Sequence, residues 1–247
     1  PAMIKRGYDA EFSAAVTASS STVGPIIPPS LPMVIAGTVT GLSVSRLFVA
    51  GIIPGLLLGF GLGIVSYLIS VKRNHPKEDR LPFREVVRSF FSAFWAILMT
   101  LIILGGIMGG FFTPTEAAMI AVFYALIVGF FVYGELKLAA LPKIIFDSAV
   151  TTASLMVLVG FANVFAWILT SEEIPLMVTQ AMLSISSGPI GYIILVNILL
   201  IFVGMFMETI AALMILMPIL LKPAIALGID PIQFAIMCVL NLVIGLT

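Results

Sequence analysis

The chain has 247 residues, of which 61% are hydrophobic and 10% are charged. A soluble domain carries roughly 45–50% apolar and about 25% charged residues, so this chain has too little polar surface to cover a soluble globule. Its twelve basic and twelve acidic residues cancel, which leaves no net field to attract nucleic acid, and its single cysteine excludes a disulfide framework. We therefore expect an all-α polytopic membrane protein, because backbone amides in lipid must be hydrogen-bonded within helices.

Eight apolar segments of the chain are candidates for membrane helices. In chain order they are 10–37, 47–71, 91–112, 116–133, 144–169, 190–206, 208–221 and 231–247. The segment 174–186 is too short to span and is expected at the membrane interface. Neither 190–206 nor 208–221 comfortably crosses a hydrocarbon core of about 30 Å. Together they predict a re-entrant helical hairpin whose tip lies at 204–209.

The loop 72–90 is rich in lysine and arginine, which predicts that it lies on the cytoplasmic side of the membrane. Lys5, Arg6 and Lys137 fall on the same side when the intervening spans are counted, whereas Arg46 falls on the opposite side. We expect this loop to be a solvated connector and His75, within it, to be a surface residue.

The run 19–30 interrupts the first apolar segment with hydroxyl residues, a glycine and three prolines. Proline lacks an N–H donor and its ring clashes with the preceding turn, so the helix must open within the membrane. Free carbonyls at that depth are stable where they coordinate a cation, water or a polar substrate. The hydroxyl oxygens expected to bind sodium there are those of Ser19, Ser20, Ser21 and Thr22. The alternative is a proline kink whose hydroxyls bond back to carbonyls of the preceding turn.

Glu208 is the one ionisable residue in the interior of an apolar segment. A carboxylate in a membrane is costly, so it marks a functional site by default. The alternative is a protonated glutamate, or one that reaches to the interface. The neighbouring Gly204 and Thr209 indicate an opening of the backbone, which favours the functional interpretation.

An internal repeat relates the two ends of the chain. The turn 7–9, Gly-Tyr-Asp, is followed by Gly24, and the turn 228–230, Gly-Ile-Asp, is followed at the same spacing by Gly245. Five crossings lie between the copies, and an odd number inverts the second copy relative to the first. Inverted repeats of interrupted helices are typical of secondary transporters.

Two further patterns predict local structure. The run 113–116, Thr-Pro-Thr-Glu, has the spacing of a helix-capping box with proline at the first helical position. Glycines at 51, 55, 59 and 63 predict close helix packing. The chain starts without methionine and stops inside an apolar stretch, so we expect it to be part of a protein of more than about 400 residues, a size at which both copies of the repeat would be complete.

With these residues in place, the sequence resembles the large membrane subunit of the tripartite ATP-independent periplasmic (TRAP) transporters along essentially its whole length. The resemblance rests on five blocks: GYDAEFSAAVTASSSTVGPIIPPSLPMVIAG at 7–37, LFVAGIIPG at 47–55, GGFFTPTEAAMIAVFYAL at 109–126, GMFMETIAALMILMPIL at 204–220 and GIDPIQFAIMCVLNLVIGLT at 228–247.

The resemblance implies an inverted-repeat, elevator-type transporter with re-entrant hairpins and interrupted helices, in the inner membrane of a bacterium. It implies sodium-driven import of a small carboxylate, with sodium as the coupling ion and no organic cofactor. A periplasmic solute-binding protein would deliver the substrate, and a small four-helix membrane subunit would complete the complex. The implied divisions are 1–46 (first repeat, transport), 47–133 (mainly scaffold), 134–189 (connecting arm) and 190–247 (second repeat, transport).

The resemblance also implies where sodium and substrate bind. Each sodium ion lies between a hairpin and an interrupted helix, which adds Gly24 to the hydroxyl residues of the first interruption. On the other side, the implied residues are Gly204 and Thr209 at the hairpin tip and Asn241, Gly245 and Thr247 in the break facing it. The substrate side is lined by Pro28, Pro29, Ser30 and Glu208, the last standing where the family commonly has aspartate.

Three other functions compete with this one. An intramembrane enzyme would need a metal motif or a second acid to pair with Glu208, and the sequence has neither in the membrane. A passive channel would not accumulate solute in response to a sodium gradient. A sodium–dicarboxylate carrier that works without a binding protein is the third, and the blocks at 28–30 and 113–117 favour the TRAP interpretation over it.

Overall fold

The computed structural model describes residues 2–76, 82–173 and 188–246, together with residues 177, 180 and 181. These residues form helices and no strands. The helices are α1 (Ala2–Lys5), α2 (Ala10–Ser21), α3 (Leu31–Thr40), α4 (Val44–Lys72), α5 (Phe83–Met108), α6 (Pro114–Ile127), α7 (Leu141–Ser171), α8 (Pro189–Gly204), α9 (Thr209–Ala226) and α10 (Pro231–Gly245). A π-helical turn (Val128–Val132) extends α6, and a 3₁₀ turn (Leu138–Ala140) precedes α7.

Five of these helical segments are long and apolar enough to cross a membrane: Val44–Lys72, Phe83–Met108, Pro114–Val132, Leu138–Leu169 and Thr209–Ala226. In the first four of these segments many large side chains face outward, as with Phe60 at 70% and Phe161 at 73% exposure, whereas Thr209–Ala226 is largely buried. Such exposure is unfavourable in water and ordinary in lipid. The predicted all-α polytopic membrane class is therefore confirmed.

Two boundaries differ from the sequence prediction. Helix α5 begins at Phe83, so the basic segment 83–90 is its first two turns and not part of a connector. Arg84 and Arg88 lie four residues apart and exposed, so water solvates this end of the helix. Helix α9 continues through Pro218 and Pro223 to reach 18 residues. The prediction that this stretch is too short to cross was wrong, because proline is tolerated inside membrane helices. The predicted interfacial segment 174–186 lies almost entirely outside the described residues.

The chain divides into two compact units, Pro1–Val16 with Gly63–Val150 and Thr17–Leu62 with Thr151–Thr247. In the first unit α5 packs against α6. The Tyr124 hydroxyl donates to the Trp95 carbonyl at 2.8 Å, and the Tyr133 hydroxyl donates to the Ser92 carbonyl at 2.8 Å. Thr113 and Glu116 form the predicted capping box at the start of α6. These local hydrogen bonds fix the path between α5 and α6.

The same unit contains His75, and the prediction that this histidine is a surface residue was wrong. Its residue exposure is 8%, and its ring lies 4.9 Å from Tyr8 and 4.7 Å from Phe12 between centroids. The two ring nitrogens lie 3.1 Å from Asp9 Oδ2 and 3.3 Å from Ser70 Oγ. The turn between α1 and α2 therefore closes over the end of α4 and buries the imidazole.

In the second unit α3, α8, α9 and α10 pack on one another. The Tyr192 and Phe234 rings stack at 6.0 Å between centroids. The Tyr192 hydroxyl, near the start of α8, donates to the Leu220 carbonyl in the second half of α9 at 2.6 Å. Helices α8 and α9 are therefore an antiparallel hairpin whose tip is 204–209, as the sequence predicts, and the re-entrant insertion of this hairpin into the membrane stays a prediction.

The two Gly-x-Asp turns of the predicted repeat have the same local geometry. Gly7 and Gly228 both have a left-handed backbone, with φ of 84° and 77°. In each copy the aspartate carbonyl accepts from the N–H four residues later, to Ser13 after Asp9 and to Phe234 after Asp230. The copies agree in turn and helix start, and their inversion across the membrane stays a prediction.

Candidate functional site

The interruption in the first apolar segment begins later than the sequence predicts. Helix α2 is regular through Ser21, and the chain leaves the helix from Thr22 to Ser30. The hydroxyls of Ser20, Ser21 and Thr22 donate to backbone carbonyls three residues earlier, at 3.3, 2.6 and 2.7 Å. Assigning the whole run from Ser19 to Gly24 to the broken helix was therefore wrong, since these back-bonds extend α2. A hydroxyl that donates its proton keeps oxygen lone pairs, so the ligand role is not lost.

The break itself follows from the proline spacing. The carbonyls of Ser21 and Gly24 have no helical donor, because Pro25 and Pro28 stand four residues later and carry no N–H. Both residues line a cavity, described below. Two residues whose carbonyls have no helical partner therefore belong to the wall of one cavity.

Ser30 closes the break and begins α3. Its side chain accepts from the Met33 N–H at 3.3 Å as the N-cap, and its hydroxyl donates to the carbonyl of Pro25. Ser30 is 1% exposed, and the preceding Pro28–Pro29 peptide is cis. The serine thus satisfies one carbonyl that proline leaves without a donor, and it caps the next helix.

Glycines on α4 let the broken segment pack closely. A Cβ at Gly55 would lie 2.7 Å from Ile27, and a Cβ at Gly51 would meet Met33 and the carbonyl of Ile26. Ile26 is fully buried as a result. The predicted close packing is confirmed at these two positions, and it holds the break against α4.

The hairpin tip presents a second helix start. Glu208 is the N-cap of α9, and its Oε2 accepts from the Ala211 N–H at 3.0 Å. Glu208 is exposed, whereas Thr209, the first residue of α9, is 6% exposed. A carboxylate at this place stabilises the positive end of the helix dipole.

These elements surround one cavity of about 390 Å³ within the second unit. Its lining residues are Ser21, Thr22, Gly24, Pro25, Pro29, Ser30, Leu31, Pro32, Glu208, Thr209, Ile210, Val243 and Leu246. The N-termini of α3 and α9 and the C-terminal ends of α2 and α10 all reach it. Helix N-termini favour anions and helix C-termini favour cations, so both kinds of ligand find a suitable field in one cavity.

Several expected ligands lie elsewhere. Gly204 and Gly245 face each other between α8 and α10, where a Cβ on Gly245 would lie 3.0 Å from the Gly204 Cα. Asn241 lies inside the regular helix α10, so the break expected there is not observed in the described residues. Ser19, Ser20 and Pro28 do not line the cavity, and Thr247 lies outside the described residues. The roles of all these residues in binding stay predictions.

One polar residue of this region was missed. The Asn241 amide donates to Asn197 Oδ1 at 2.5 Å and to the Met237 carbonyl at 2.8 Å. The Asn197 amide donates to the Ile193 carbonyl at 2.7 Å. Asn197 stands alone as an amide in the apolar segment 190–206, and that isolation was the signal that could have identified it.

The residues that line the cavity carry mainly neutral oxygen groups, together with the carboxylate of Glu208. Among the residues that the structure describes, no group of three or more His, Cys, Asp and Glu side chains is placed to hold a metal ion. The oxygens around the cavity come from carbonyls, hydroxyls and one carboxylate. Hard oxygen ligands of low total charge fit an alkali cation better than a transition metal.

An interrupted helix that meets a hairpin tip around one cavity, in a polytopic membrane protein, is typical of the class of secondary transporters. Comparison with known proteins gives the particular family. The model for the tripartite ATP-independent periplasmic transporter, DctM component, matches residues 1–247. The chain belongs to this family, whose members are permease components and not enzymes, and it is a multi-pass protein of the bacterial inner membrane.

Three relatives illustrate the range of the family. The isethionate TRAP transporter permease protein DctMQ of Oleidesulfovibrio alaskensis is 43% identical over 99% of this chain and 39% of its own length. The sialic acid TRAP transporter large permease protein SiaM of Vibrio cholerae is 42% identical over 97% of this chain and 56% of its own. The C4-dicarboxylate TRAP transporter large permease protein DctM of Pseudomonas aeruginosa is 41% identical over 99% of this chain and 57% of its own length. The chain thus spans about half the length of the curated relatives it matches.

Proposed function

We propose that the protein to which this chain belongs imports a small organic acid, of the carboxylate class, by sodium-driven secondary transport. The observation that carries the proposal is the convergence of two helix N-termini and two helix C-terminal ends on one cavity of about 390 Å³. The family description is ATP-independent, which favours an ion gradient as the source of energy.

The anion-binding part of the proposal rests on the starts of α3 and α9. Each helix start carries a partial positive charge, which favours carboxylate, sulfonate or phosphate oxygens. Three relatives are named for isethionate, sialic acid and C4-dicarboxylates. All of these are anions at neutral pH, so the positive electric field of the two helix starts would attract each of them, while the shape of the cavity would select among them.

The sodium part rests on the oxygens at the end of α2 and on Glu208. Ser21, Thr22 and Gly24 line the cavity, and the carbonyls of Ser21 and Gly24 and the hydroxyl oxygen of Thr22 would be hard, neutral ligands there. Glu208 adds a negative charge there, which repels an anionic substrate unless a cation compensates it. Cation and substrate would then raise each other's affinity through one coupling free energy.

The partners proposed for the complete transporter are a periplasmic solute-binding protein and a small four-helix membrane subunit. The words tripartite and periplasmic in the family description support this proposal. The relative named DctMQ supports it as well, because this chain covers only 39% of that longer permease protein.

The test uses the full-length protein with its partners in proteoliposomes and labelled C4-dicarboxylate, sialic acid and isethionate. We expect uphill uptake of C4-dicarboxylate or sialic acid under an inward sodium gradient, and its collapse when an ionophore dissipates that gradient. Uptake of isethionate alone, which is a sulfonate, would contradict the carboxylate class. Uptake that only equilibrates, or that follows a proton gradient without sodium, would contradict the proposal. The first outcome would indicate a passive channel.

Matched variants connect the activity with the cavity. Thr22→Ala removes a back-bonded hydroxyl at the cavity, and we expect the sodium concentration for half-maximal uptake to rise about tenfold. Thr38→Ala is the control, because Thr38 makes the same kind of back-bond, to the Val34 carbonyl at 2.8 Å, further along α3. Glu208→Gln should weaken the dependence of substrate affinity on sodium. Equal sodium dependence in all three variants and the parent would remove these residues from the site.

A further inference from the structure

A second cavity of the second unit lies beside α10, where residues of α4 and α8 also line it. Its volume is about 550 Å³. Its lining includes side chains of α10 and its N-cap at intervals of three and four positions, namely Asp230, Gln233, Met237 and Asn241. Residues at these intervals share one face of a helix, so they form a stripe, here called the α10 stripe, of roughly 16 Å in length. Polar side chains at membrane depth mark ion and substrate pathways by default.

The far end of the α10 stripe has an acceptor without a donor. Asn241 is 8% exposed, and its amide nitrogen donates to Asn197 Oδ1 and to the Met237 carbonyl. Both hydrogen bonds that this side chain makes in the described part of the chain use its nitrogen, so its Oδ1 accepts from no described residue. A buried oxygen in this state is costly unless water donates to it or a cation is coordinated by it.

Helix α4 contributes a second backbone group of this kind. Pro54 stands four residues after Ala50 and has no N–H, so the Ala50 carbonyl lacks its usual helical donor. Both residues line the cavity. A carbonyl that proline releases inside a membrane helix needs another partner, and the same cavity offers room for one.

The charge of the cavity favours a cation. None of the described residues that line it is basic, and Asp230 is a carboxylate. Asp230 Oδ1 accepts from the Gln233 N–H at 2.9 Å as the N-cap of α10, and Asp230 has no ion-pair partner among the described residues. Its counterpart in the first copy of the repeat, Asp9, lies within 3.2 Å of Arg73 and His75. The repeated turn therefore carries a compensated carboxylate in one copy and an uncompensated one in the other.

The oxygens and the size of the cavity indicate the kind of cation. Carboxylate, amide and carbonyl oxygens are hard ligands, which suit an alkali cation. The opposite side of the cavity is apolar, with Ile232, Ile236 and Leu240, and cannot coordinate an ion. Because a water molecule takes about 30 Å³ in the liquid, the cavity has room for a cation that keeps part of its hydration shell against this side.

The position of the cavity connects the outer surface with the transport site. Ala50 lies in the second turn of α4, whose other end reaches Lys72 and the basic segment that the sequence predicts to be cytoplasmic. Asp230 is exposed at the start of α10. At the other end of α10, Val243 and Leu246 line the transport cavity. One helix thus runs from an acidic entrance on the predicted outer side to the candidate sodium site.

We propose that this cavity holds a hydrated sodium ion between the outer surface and the transport site. Asp230 attracts the ion, and Asn241 Oδ1 and the Ala50 carbonyl coordinate it in place of part of its water. The inference rests on the proposed function, which names sodium as the coupling ion and the transport cavity as its destination. No residue lines both cavities, so separate variants test the two sites.

The first test changes the charge of the α10 stripe in the full-length protein, with its partners, in proteoliposomes. Gln233→Glu should lower the sodium concentration for half-maximal uptake and Gln233→Lys should raise it, each about threefold. Both effects should shrink in concentrated choline chloride, because salt screens exposed charges. The N-cap of α10 is kept in both variants, since Gln233 bonds to Asp230 through its backbone N–H.

The control for the charge series is Glu116→Gln. It removes an exposed carboxylate from the first unit, and glutamine also serves at that position of a capping box. The sodium dependence of this variant should equal that of the parent. Shifts in the same direction for Gln233→Glu and Gln233→Lys, or no shift in either, would overturn the proposal.

The second test measures sodium binding without transport. Ala50→Phe fills the cavity, whereas Val49→Phe adds the same bulk at the preceding position, which is 48% exposed and does not line the cavity. Thermal unfolding of the purified full-length protein without substrate compares sodium chloride with choline chloride. The rise in Tm caused by sodium should be about half as large in Ala50→Phe as in the parent, as for the loss of one of two equal sites. Val49→Phe should keep the full rise.

An undiminished rise in Ala50→Phe would mean that the cavity holds water only and would overturn the proposal. The Gln233 series decides the question if Ala50→Phe does not fold, because it leaves the cavity open. Parent protein whose uptake does not depend on sodium would refute the proposed function instead. The comparison of Ala50→Phe with Val49→Phe would still show whether this cavity binds the ion.

Discussion

Gly245→Ala tests the closest backbone contact in the second unit. A Cβ on Gly245 would lie 2.7 Å from the Ile201 carbonyl oxygen and 3.0 Å from the Gly204 Cα. Ordinary contacts of a Cβ begin at 3.4 Å, and neither partner can rotate away because both are backbone. Helices α8 and α10 must therefore separate by roughly 0.7 Å or more, an overpacking that typically costs about 1–3 kcal/mol of stability.

The assay is thermal unfolding of the purified full-length protein in detergent, followed by intrinsic fluorescence. We expect the apparent Tm of Gly245→Ala to fall by several degrees. Gly61→Ala is the matched control, because a Cβ at Gly61 meets nothing within 4 Å and alanine is the better helix former. Its Tm should be unchanged or slightly higher.

The double variant Gly204→Ala/Gly245→Ala sharpens the reasoning. Once one added methyl has separated the helices, the second meets a wider gap. The loss of stability in the double variant should therefore be smaller than the sum of the losses in the two single variants. A Tm for Gly245→Ala equal to that of the parent, or strict additivity in the double variant, would refute the close approach of α8 and α10.

Two further predictions concern polar pairs. Asn241→Leu leaves Asn197 Oδ1 without the donor it has at 2.5 Å, so unfolding measurements should show a loss of about 1–3 kcal/mol, much of which is regained when Asn197 is also replaced by leucine. Asp9→Asn should lower the apparent Tm at pH 7, because the pKa of Asp9 is depressed by its bonds to His75 and Arg73. A depressed pKa stabilises the fold at pH values above the ordinary value of 3.8, and this contribution is lost as the pH falls below it. The difference in apparent Tm between Asp9→Asn and the parent should therefore shrink in acid. A Tm difference that is independent of pH would contradict the pairing.

Local rules account for much of what the sequence predicted. Helix positions follow from apolar length, and the break after Ser21 follows from prolines that remove donors at fixed spacing. The capping box at Thr113 and the start of α9 at Glu208 depend on contacts three residues apart. Such features involve a single turn of chain, so residue type and spacing determine them.

The errors came where one local pattern permitted two outcomes. The hydroxyls of Ser20, Ser21 and Thr22 were compatible with an open chain or with back-bonds, and the structure has the back-bonds. His75 stood in a basic segment typical of a solvated loop. Its burial depends on Asp9, 66 positions away, and no periodicity encodes that contact.

The sequence by itself determined that this is a helical membrane protein with an interrupted helix and a hairpin, because lipid requires every backbone group to be bonded within the chain. Only the tertiary structure decided which ends of those elements meet. The starts of α3 and α9 and the ends of α2 and α10 reach one cavity, while Gly204, Asn241 and Gly245 serve the packing of α8 against α10. The physical reason is that such meetings depend on the fit of surfaces far apart in the chain, and shape complementarity leaves no regular spacing in the sequence.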